Sequence, residues 1–340
     1  MAVLRGRETA AVRGGRRRVT AACAVRARRL RRRRRGRAGR AGVGADGSAS
    51  PFLGALPVVA ALALVLASPG AAAVATAGGR ALDPAGFGPG SCVSFAPTAT
   101  VGRQRTVFID AGHGGPDPGG IGVTLAGKPV EEATENLRVA LDALPLLRAA
   151  GYRVVLSRTT AGAVARPVSG DLSGGLFTGE GVHHDIIARD ACANLAHANI
   201  LLGLYLNASD YASASGSLTL FDAARPFWPA SRRLATLVQR DVLARLNSNG
   251  WAIPDDGVRT DVGYGSSVTS ADQAYGHLLL LGPPKAGYFS TPSRMPGALI
   301  EPLFISDPPE ASIADSRAGQ GAIARGLLTA VEQYFGSRAS

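Results

Sequence analysis

From residue 105 onward, the hydrophobic positions of the chain follow two alternating patterns. Short runs of continuous apolar residues are typical of strands buried on both faces, whereas apolar residues spaced three and four apart indicate amphipathic helices. The first pattern predicts strands at 106–109, 152–156, 200–206, 217–221, 278–281 and 298–300. The second predicts helices at 132–150, 185–198, 231–246 and 320–335.

This alternation predicts an α/β fold, in which a mostly parallel, twisted sheet carries helices on both faces. In such sheets, functional side chains gather in the loops that follow the carboxyl ends of the strands. We therefore expect the functional residues at that edge of the sheet.

Arginine is concentrated at the N-terminus and changes how the net charge is interpreted. The 340 residues carry a formal net charge of +12, but residues 1–42 alone contain 16 Arg and a single acidic residue, Glu8. The rest of the chain has 21 basic and 24 acidic residues, so it is mildly acidic. This distribution argues against a nucleic-acid-binding domain, because such a domain needs its basic residues on the folded surface.

An apolar stretch follows the arginine-rich segment. Residues 53–67 are uncharged, and small residues suited to a cleavage site come after them. These are the parts of a secretory signal, although a basic arm beside a buried core helix would have the same composition. We interpret residues 1–52 as an arginine-rich n-region and 53–78 as a signal or anchor segment. A linker rich in Ala, Gly and Pro follows at 79–103, and one folded domain at 104–337. The protein is then exported.

Two cysteines, Cys92 and Cys192, lie beyond the export segment. An oxidising compartment permits a disulfide between them. Sequence alone does not bring two cysteines within bonding distance. A disulfide and two unpaired thiols therefore both stay open.

The strongest chemical signal is a glycine-rich loop after the first predicted strand. It contains His113, and a neutral imidazole at a sheet edge is a natural zinc ligand. Glu132 opens the first predicted helix, and Glu301 follows the apolar run 298–300. A carboxylate after such a run needs a partner or a proton. Together these residues predict a metal-dependent hydrolase site. Asp255, Asp256 and Asp261 are interpreted instead as solvated loop charges.

Several ordered motifs carry a resemblance to a known family. They are Ile-Asp-x-Gly-His-Gly-Gly-x-Asp-Pro-Gly at 109–119, Glu132, Gly-Tyr-Arg-Val at 151–154, Ser-Arg at 157–158, Arg189 with Ala-Asn at 193–194, Asn-Ala at 207–208, 296–301 and Phe-Ile-Ser-Asp-Pro at 304–308. Across residues 105–335 the chain resembles the zinc-dependent N-acetylmuramoyl-L-alanine amidases of the type 3 family.

The resemblance implies a phosphorylase/hydrolase-like α/β fold and a Zn²⁺ held by a His–Glu–His set. It implies cleavage of the amide between N-acetylmuramic acid and L-alanine of peptidoglycan. On this basis His113 and Glu132 would bind zinc, Glu301 would be the catalytic carboxylate and Asn207 would contact substrate. The expected partner is peptidoglycan at the cell wall or outside the cell. Nucleic acid is not expected, and membrane contact is expected only through the N-terminal segment.

One ligand of the family pattern is replaced. Tyr205 stands two positions before Asn207, where the third histidine belongs. Tyr205 could bind the metal as a phenolate, or His183 or His184 could reach over from the loop that precedes the helix at 185. His197 and His277 are disfavoured by their positions on the predicted elements. The third alternative is a catalytically inactive relative that binds peptidoglycan or regulates its hydrolysis.

Overall fold

A computed structural model describes residues 78–264 and 270–336. The predicted n-region and all of the signal or anchor segment except residue 78 lie outside the described residues. Within the described ranges, no helix is both long enough and apolar enough to cross a membrane.

Eight of the strands form one mixed sheet, in the order β1-β2-β6-β3-β9-β12-β10-β11. In chain order the strands are β1 (Arg80–Ala81), β2 (Ser91–Phe95), β3 (Thr106–Ala111), β4 (Ile121–Val123), β5 (Pro129–Glu131), β6 (Arg153–Arg158), β7 (Leu172–Ser173), β8 (Leu176–Phe177), β9 (Ile200–Leu204), β10 (Ser217–Phe221), β11 (Asp255–Thr260) and β12 (Gly297–Glu301). The pairs β4–β5 and β7–β8 are separate two-stranded sheets.

The central strands β6, β3, β9 and β12 are mutually parallel, so their carboxyl ends share one edge. The strand β10 runs antiparallel to β12, and β11 is parallel to β10. The carboxyl ends of β10 and β11 therefore lie at the opposite edge. The mostly parallel α/β sheet predicted from the apolar runs is confirmed.

Helices cover both faces of the sheet. They are α1 (Glu132–Ala149), α2 (Gly179–Leu195), α3 (Trp228–Asn247), α4 (Ser270–Tyr275), α5 (Pro308–Ala314) and α6 (Arg317–Gly336). One face is packed by α1, α3 and α6, with Leu144, Leu234 and Leu327 fully buried in a shared cluster. The other face is packed by α2, whose Ala193 lies in a cluster with Phe108 of β3. The apolar stripes on these helices bury the faces of the sheet.

The prediction of a strand at 278–281 is wrong. These residues form a turn, in which the backbone N–H groups of Leu281 and Gly282 donate to the carbonyl of Leu278. Leu280 and Leu281 are nevertheless buried, in the same cluster as Leu201 and Leu299 of the sheet. An apolar run of four residues reports burial but not backbone conformation, and here it packs on the sheet face without joining the sheet.

The segment interpreted as a linker at 79–103 is instead part of the fold. It contains β1 and β2, and β2 pairs antiparallel with β6 and is buried at all five positions. Cys92 of β2 and Cys192 of α2 form a disulfide with their Cα atoms 5.5 Å apart. The apolar run of β2 is short and is flanked by Gly and Pro residues. The composition of the segment therefore indicated a linker.

Candidate functional site

His113 lies in the turn that follows β3 and is held there by a carboxylate. Its backbone has a positive φ of 57°, which a non-glycine residue adopts only when its surroundings enforce it. Its Nδ1 lies 2.7 Å from Oδ2 of Asp117, four residues later. A carboxylate behind an imidazole fixes the orientation of the ring and leaves Nε2 to face the site.

The Nε2 atom of His113 lies 3.1 Å from Oε1 of Glu132, the first residue of α1. Glu132 is almost fully buried. Its Oε2 accepts a hydrogen bond from the backbone N–H of Gly120 at 2.8 Å, and its Oε1 accepts one from Leu206 at 2.9 Å. The carboxylate is therefore fixed by two backbone donors from separate loops.

The charges around His113 act strongly on its pKa. Burial by itself lowers the pKa, but the carboxylates of Glu132 and Asp117 outweigh burial and raise the pKa to about 10. In the absence of a metal, the imidazole thus carries a proton between the two carboxylates. The negative charge of Glu132 would likewise favour a cation between its carboxylate and His113 Nε2.

Glu301, the last residue of β12, comes to the same edge of the sheet. Its Oε2 is buried and accepts no hydrogen bond in the described structure. Burial, together with the nearby charge of Glu132, raises the pKa of Glu301 to about 8, against the opposite effect of His113. We call His113, Glu132 and Glu301 the carboxyl-edge site. The strand-end rule brings together the three residues singled out from the sequence.

Tyr205 directly follows β9, and its hydroxyl oxygen contacts Asp110. The hydroxyl donates to Oδ2 of Asp110 at 2.9 Å, while the ring packs edge-on against His113 at 5.3 Å between centroids. Burial and the charge of Asp110 raise the pKa of Tyr205 well above its usual value, so the phenol keeps its proton. Binding of a metal by Tyr205 stays a prediction.

A buried ionic network that was not predicted from the sequence supports the turn. Arg189 of α2 donates to Asp110 at 2.7 Å and to Asp185 at 2.6 Å, and also to the carbonyl of His113 at 2.8 Å. Both carboxylates and the guanidinium are buried. The sequence offered Asp110 at the end of an apolar strand and Arg189 within a motif, but not their contact, since they lie 79 positions apart.

The other histidines considered as ligands lie elsewhere. The helix α2 begins at Gly179, with the Thr178 side chain accepting from Gly181, and not at 185 as predicted. His183 and His184 are therefore helical and do not extend from a loop. His184 Nδ1 lies 2.8 Å from Asp171 Oδ1, and His183 Nε2 lies 3.2 Å from the carbonyl of Tyr288.

Asn207 is nearly buried beside the site. Its side-chain oxygen accepts from the N–H of Ala208 at 2.8 Å, and its backbone N–H donates to Leu303. These bonds join the loop after β9 to the chain after β12. Contact between Asn207 and a substrate stays a prediction.

A second group of ionisable residues lies at the other edge of the sheet. Within 78–264 and 270–336, one set of three His, Cys, Asp or Glu residues brings its ligand atoms within 4.8 Å of one another: Asp222, Asp261 and His277. We call it the opposite-edge cluster. Asp261 is fully buried, so its interpretation as a solvated loop charge is wrong.

The carboxyl-edge site fits part of the metal set that the resemblance implies. His113 Nε2 and Glu132 Oε1 are adjacent, and Asp117 holds the imidazole through its Nδ1. The buried Glu301 oxygen without a hydrogen bond is a further acceptor at this edge. The Tyr205 hydroxyl, the third ligand in the sequence-based prediction, donates to Asp110.

Comparison with known proteins finds similar sequences. Residues 107–333 match the sequence model of the N-acetylmuramoyl-L-alanine amidase family. The chain is 28% identical to the N-acetylmuramoyl-L-alanine amidase LytC of Bacillus subtilis over 61% of its own length, but it spans only 31% of that relative. It is 22% identical to the germination-specific N-acetylmuramoyl-L-alanine amidase of the same organism, covering 71% of this chain and 84% of the relative.

The fold is similar to that of the CwlD amidase from Clostridioides difficile, solved in complex with the GerS lipoprotein. The match has a TM-score of 0.51 at 18% identity and covers 68% of this chain and 99% of that one. The family model spans well over half of the chain and includes every residue of the carboxyl-edge site. The chain belongs to the N-acetylmuramoyl-L-alanine amidase family.

Proposed function

We propose that this protein hydrolyses the amide between N-acetylmuramic acid and L-alanine in peptidoglycan. Membership of the amidase family supports the reaction class. The observation that carries the proposal is the meeting of His113, Glu132 and Glu301 at one sheet edge, with the His113–Glu132 pair 3.1 Å apart. A buried carboxylate without a hydrogen bond is costly, and its retention beside this pair is explained by a chemical role.

The residues that would hold a zinc ion are His113, through Nε2, and Glu132. When bound, zinc polarises the amide carbonyl and lowers the pKa of a coordinated water. Asp117 keeps the imidazole oriented toward the site, and the backbone donors at Gly120 and Leu206 keep the Glu132 carboxylate in place. The role of this chain in metal binding is thus to present two pre-positioned ligand atoms.

Glu301 is assigned the proton-transfer role. A carboxylate on a neighbouring strand end can accept the proton of the attacking water and return it to the leaving amine. Burial favours the neutral acid between these two transfers. Glu301 lies on β12, whereas Glu132 lies on α1, so the two carboxylates have separate supports and separate tasks.

A second function is favoured by one specific contact. The Tyr205 hydroxyl is engaged by Asp110, which leaves two protein ligands for a metal that usually has three. Weak metal retention would give an amidase-fold protein that binds peptidoglycan or regulates its hydrolysis without cleaving it.

We also propose that the domain works outside the cytoplasm, at the cell wall. The Cys92–Cys192 disulfide is of the kind that persists in an oxidising compartment. The basic and apolar segments at residues 1–78 have the composition of an export signal or anchor. Membrane contact would run through that segment, and no nucleic-acid partner is proposed for the mildly acidic domain.

Four proteins test the proposal: wild type, His113→Ala, Glu301→Gln and the control His184→Ala. Bound zinc is measured by elemental analysis after dialysis, and amide hydrolysis by chromatography of muropeptides. We expect His113→Ala to lose about one equivalent of zinc and all activity. Glu301→Gln should keep its zinc and lose activity by about 100-fold or more. His184 is outside the carboxyl-edge site, so its removal should change neither.

The outcomes separate the two functions. One outcome would support the non-catalytic function and contradict the amidase function. In it, the protein binds muropeptides without cleaving them, and wild type and His113→Ala contain equal amounts of zinc. Cleavage that persists in Glu301→Gln would remove the proton-transfer role from Glu301 and leave the reaction class standing.

A further inference from the structure

The opposite-edge cluster is built from the ends of two neighbouring strands. Asp222 directly follows β10, and Asp261 directly follows β11, which is parallel to β10. Because β10 is antiparallel to β12, this edge is the one away from Glu301. His277 lies against both aspartates, with its Nδ1 2.8 Å from Asp222 and 3.4 Å from Asp261. The cluster is therefore separate from the carboxyl-edge site.

One carboxylate oxygen of the cluster lacks a hydrogen bond. Oδ1 of Asp222 accepts from the N–H of Ala224, but its Oδ2 is buried and accepts none. His277 Nδ1 approaches Oδ2 of Asp222 to 2.8 Å, within ion-pair distance, and Oδ1 of Asp261 to 3.4 Å. The Asp222 side chain is 1% exposed, and an ionised oxygen at that depth needs a positive partner.

The neighbouring Arg225 donates no hydrogen bond to that oxygen in the described structure. Arg225 lies close enough to Asp222 for their charges to interact, but its guanidinium donates to the carbonyls of Gly282 and Ser293. Asp261 is fully buried beside Asp222, and its Oδ2 accepts only from the backbone N–H of Leu278 among the described hydrogen bonds.

We propose that Asp222, Asp261 and His277 form a metal site for a divalent cation of the zinc class, distinct from any metal at the carboxyl-edge site. One imidazole nitrogen and two carboxylate oxygens are ligands that zinc accepts, and three protein ligands leave a position for water. Calcium takes six to eight oxygens, more than these three side chains provide. The His277 side chain is 20% exposed and gives the ion a path from solvent.

The bound cation would act as a clip on the chain. It joins the end of β11 to His277, sixteen positions later, and holds both against the end of β10. Closing a segment of this length through one ion stabilises the folded state, because the unfolded chain does not hold the three ligands together. The site thus gives metal-dependent stability without a part in the amidase reaction.

The test compares each background with its own His277→Gln derivative. Zinc retained after dialysis is measured for wild type, His113→Ala, His277→Gln and the double variant. We expect His277→Gln to remove about one equivalent of zinc in both backgrounds. Added zinc should raise the melting temperature of His113→Ala by several degrees but leave that of the double variant unchanged. Each background is compared with its own His277→Gln derivative, so the result does not depend on whether the carboxyl-edge site binds zinc. Failure of the opposite-edge metal site is therefore distinguishable from failure of the proposed amidase function.

Two further variants keep the test decisive. Asp222→Asn changes one oxygen of the cluster with almost no change in shape, and it should lose the same zinc if His277→Gln fails to fold. His184→Gln alters a histidine that pairs with a single aspartate, Asp171, and its zinc content should equal that of wild type. Equal zinc content with and without His277 and Asp222 would overturn the metal site and leave a histidine–aspartate ion pair.

Discussion

The Tyr205 hydroxyl donates to Asp110 across 2.9 Å, so its oxygen is engaged by a carboxylate outside the carboxyl-edge site. Asp110 also accepts from Arg189 at 2.7 Å, so the tyrosine oxygen joins a buried ionic network that supports the His113 turn. The ring of Tyr205 still lies against His113. The Tyr205 oxygen therefore belongs to the network that supports the His113 turn, while its ring packs against the imidazole.

Substitution of Tyr205 distinguishes a ligand from a scaffold residue. Tyr205→Phe removes only the hydroxyl, so we expect unchanged zinc content and a loss of about 1–2 kcal/mol in the free energy of unfolding, because one acceptor on Asp110 loses its donor. Tyr205→His places an imidazole beside His113 and should raise zinc affinity by about 10-fold or more. Titration calorimetry and chemical denaturation measure both. Loss of zinc in Tyr205→Phe would make the phenol a ligand after all.

The position of the site was predictable from sequence, and its detailed chemistry was not. Apolar runs gave the parallel strands, and the strand-end rule then brought His113 and Glu301 to one edge. The partner of Tyr205 was not predictable, because Asp110 lies 95 positions earlier and meets it only through strand pairing. Asp261 accepts from the backbone N–H of Leu278 at the turn 278–281, whose apolar sequence predicted a strand instead.

The geometry around Gly119 predicts a sharp steric effect. Gly119 has φ +68°, and a Cβ there would lie 2.5 Å from His113 Cδ2 and 2.8 Å from Glu132 Oε2. We expect Gly119→Ala to displace the His113–Glu132 pair and to reduce bound zinc and muropeptide hydrolysis by about 10-fold or more. The position offers no room because both neighbours are fixed by other hydrogen bonds.

A matched glycine controls for backbone strain. Gly127 has a similar φ of +77°, but a Cβ there would meet nothing within 4 Å. Gly127→Ala should therefore show only the cost of a left-handed alanine, about 1 kcal/mol in unfolding free energy, with activity unchanged. Equal losses of activity in the two variants would trace the effect to stability and not to the site.

The disulfide between Cys92 and Cys192 should contribute strongly to stability. It closes a separation of 100 residues and ties β2 to α2 across one face of the sheet. Replacing both cysteines by Ala should cost about 2–5 kcal/mol in unfolding free energy. Reductant should lower the melting temperature of wild type toward that of the double variant and leave the variant unchanged. A wild-type melting temperature that does not change with reductant would contradict the stabilising role of the disulfide.

Glu310 gives a pH dependence that is separate from both candidate metal sites. Its carboxylate accepts from the backbone N–H groups of Gly216 and Phe304, and it is 3% exposed. Burial raises its pKa from 4.5 to about 7, although these two hydrogen bonds oppose the shift. The folded state therefore keeps a proton that the unfolded state releases. The resulting stability is fully present below pH 4.5 and is lost as the pH rises through 7.

Glu310→Gln removes this titration while keeping the side chain's size. The unfolding free energy of wild type should fall relative to that of the variant by on the order of 2–3 kcal/mol between pH 4.5 and 7.5, and stay level above that range. Chemical denaturation at pH 4.5, 6 and 7.5 measures the difference at each pH, so any pH-independent cost of the amide cancels. Parallel curves for the two proteins would mean that Glu310 ionises equally in both states, and that its two backbone donors, not burial, govern its charge.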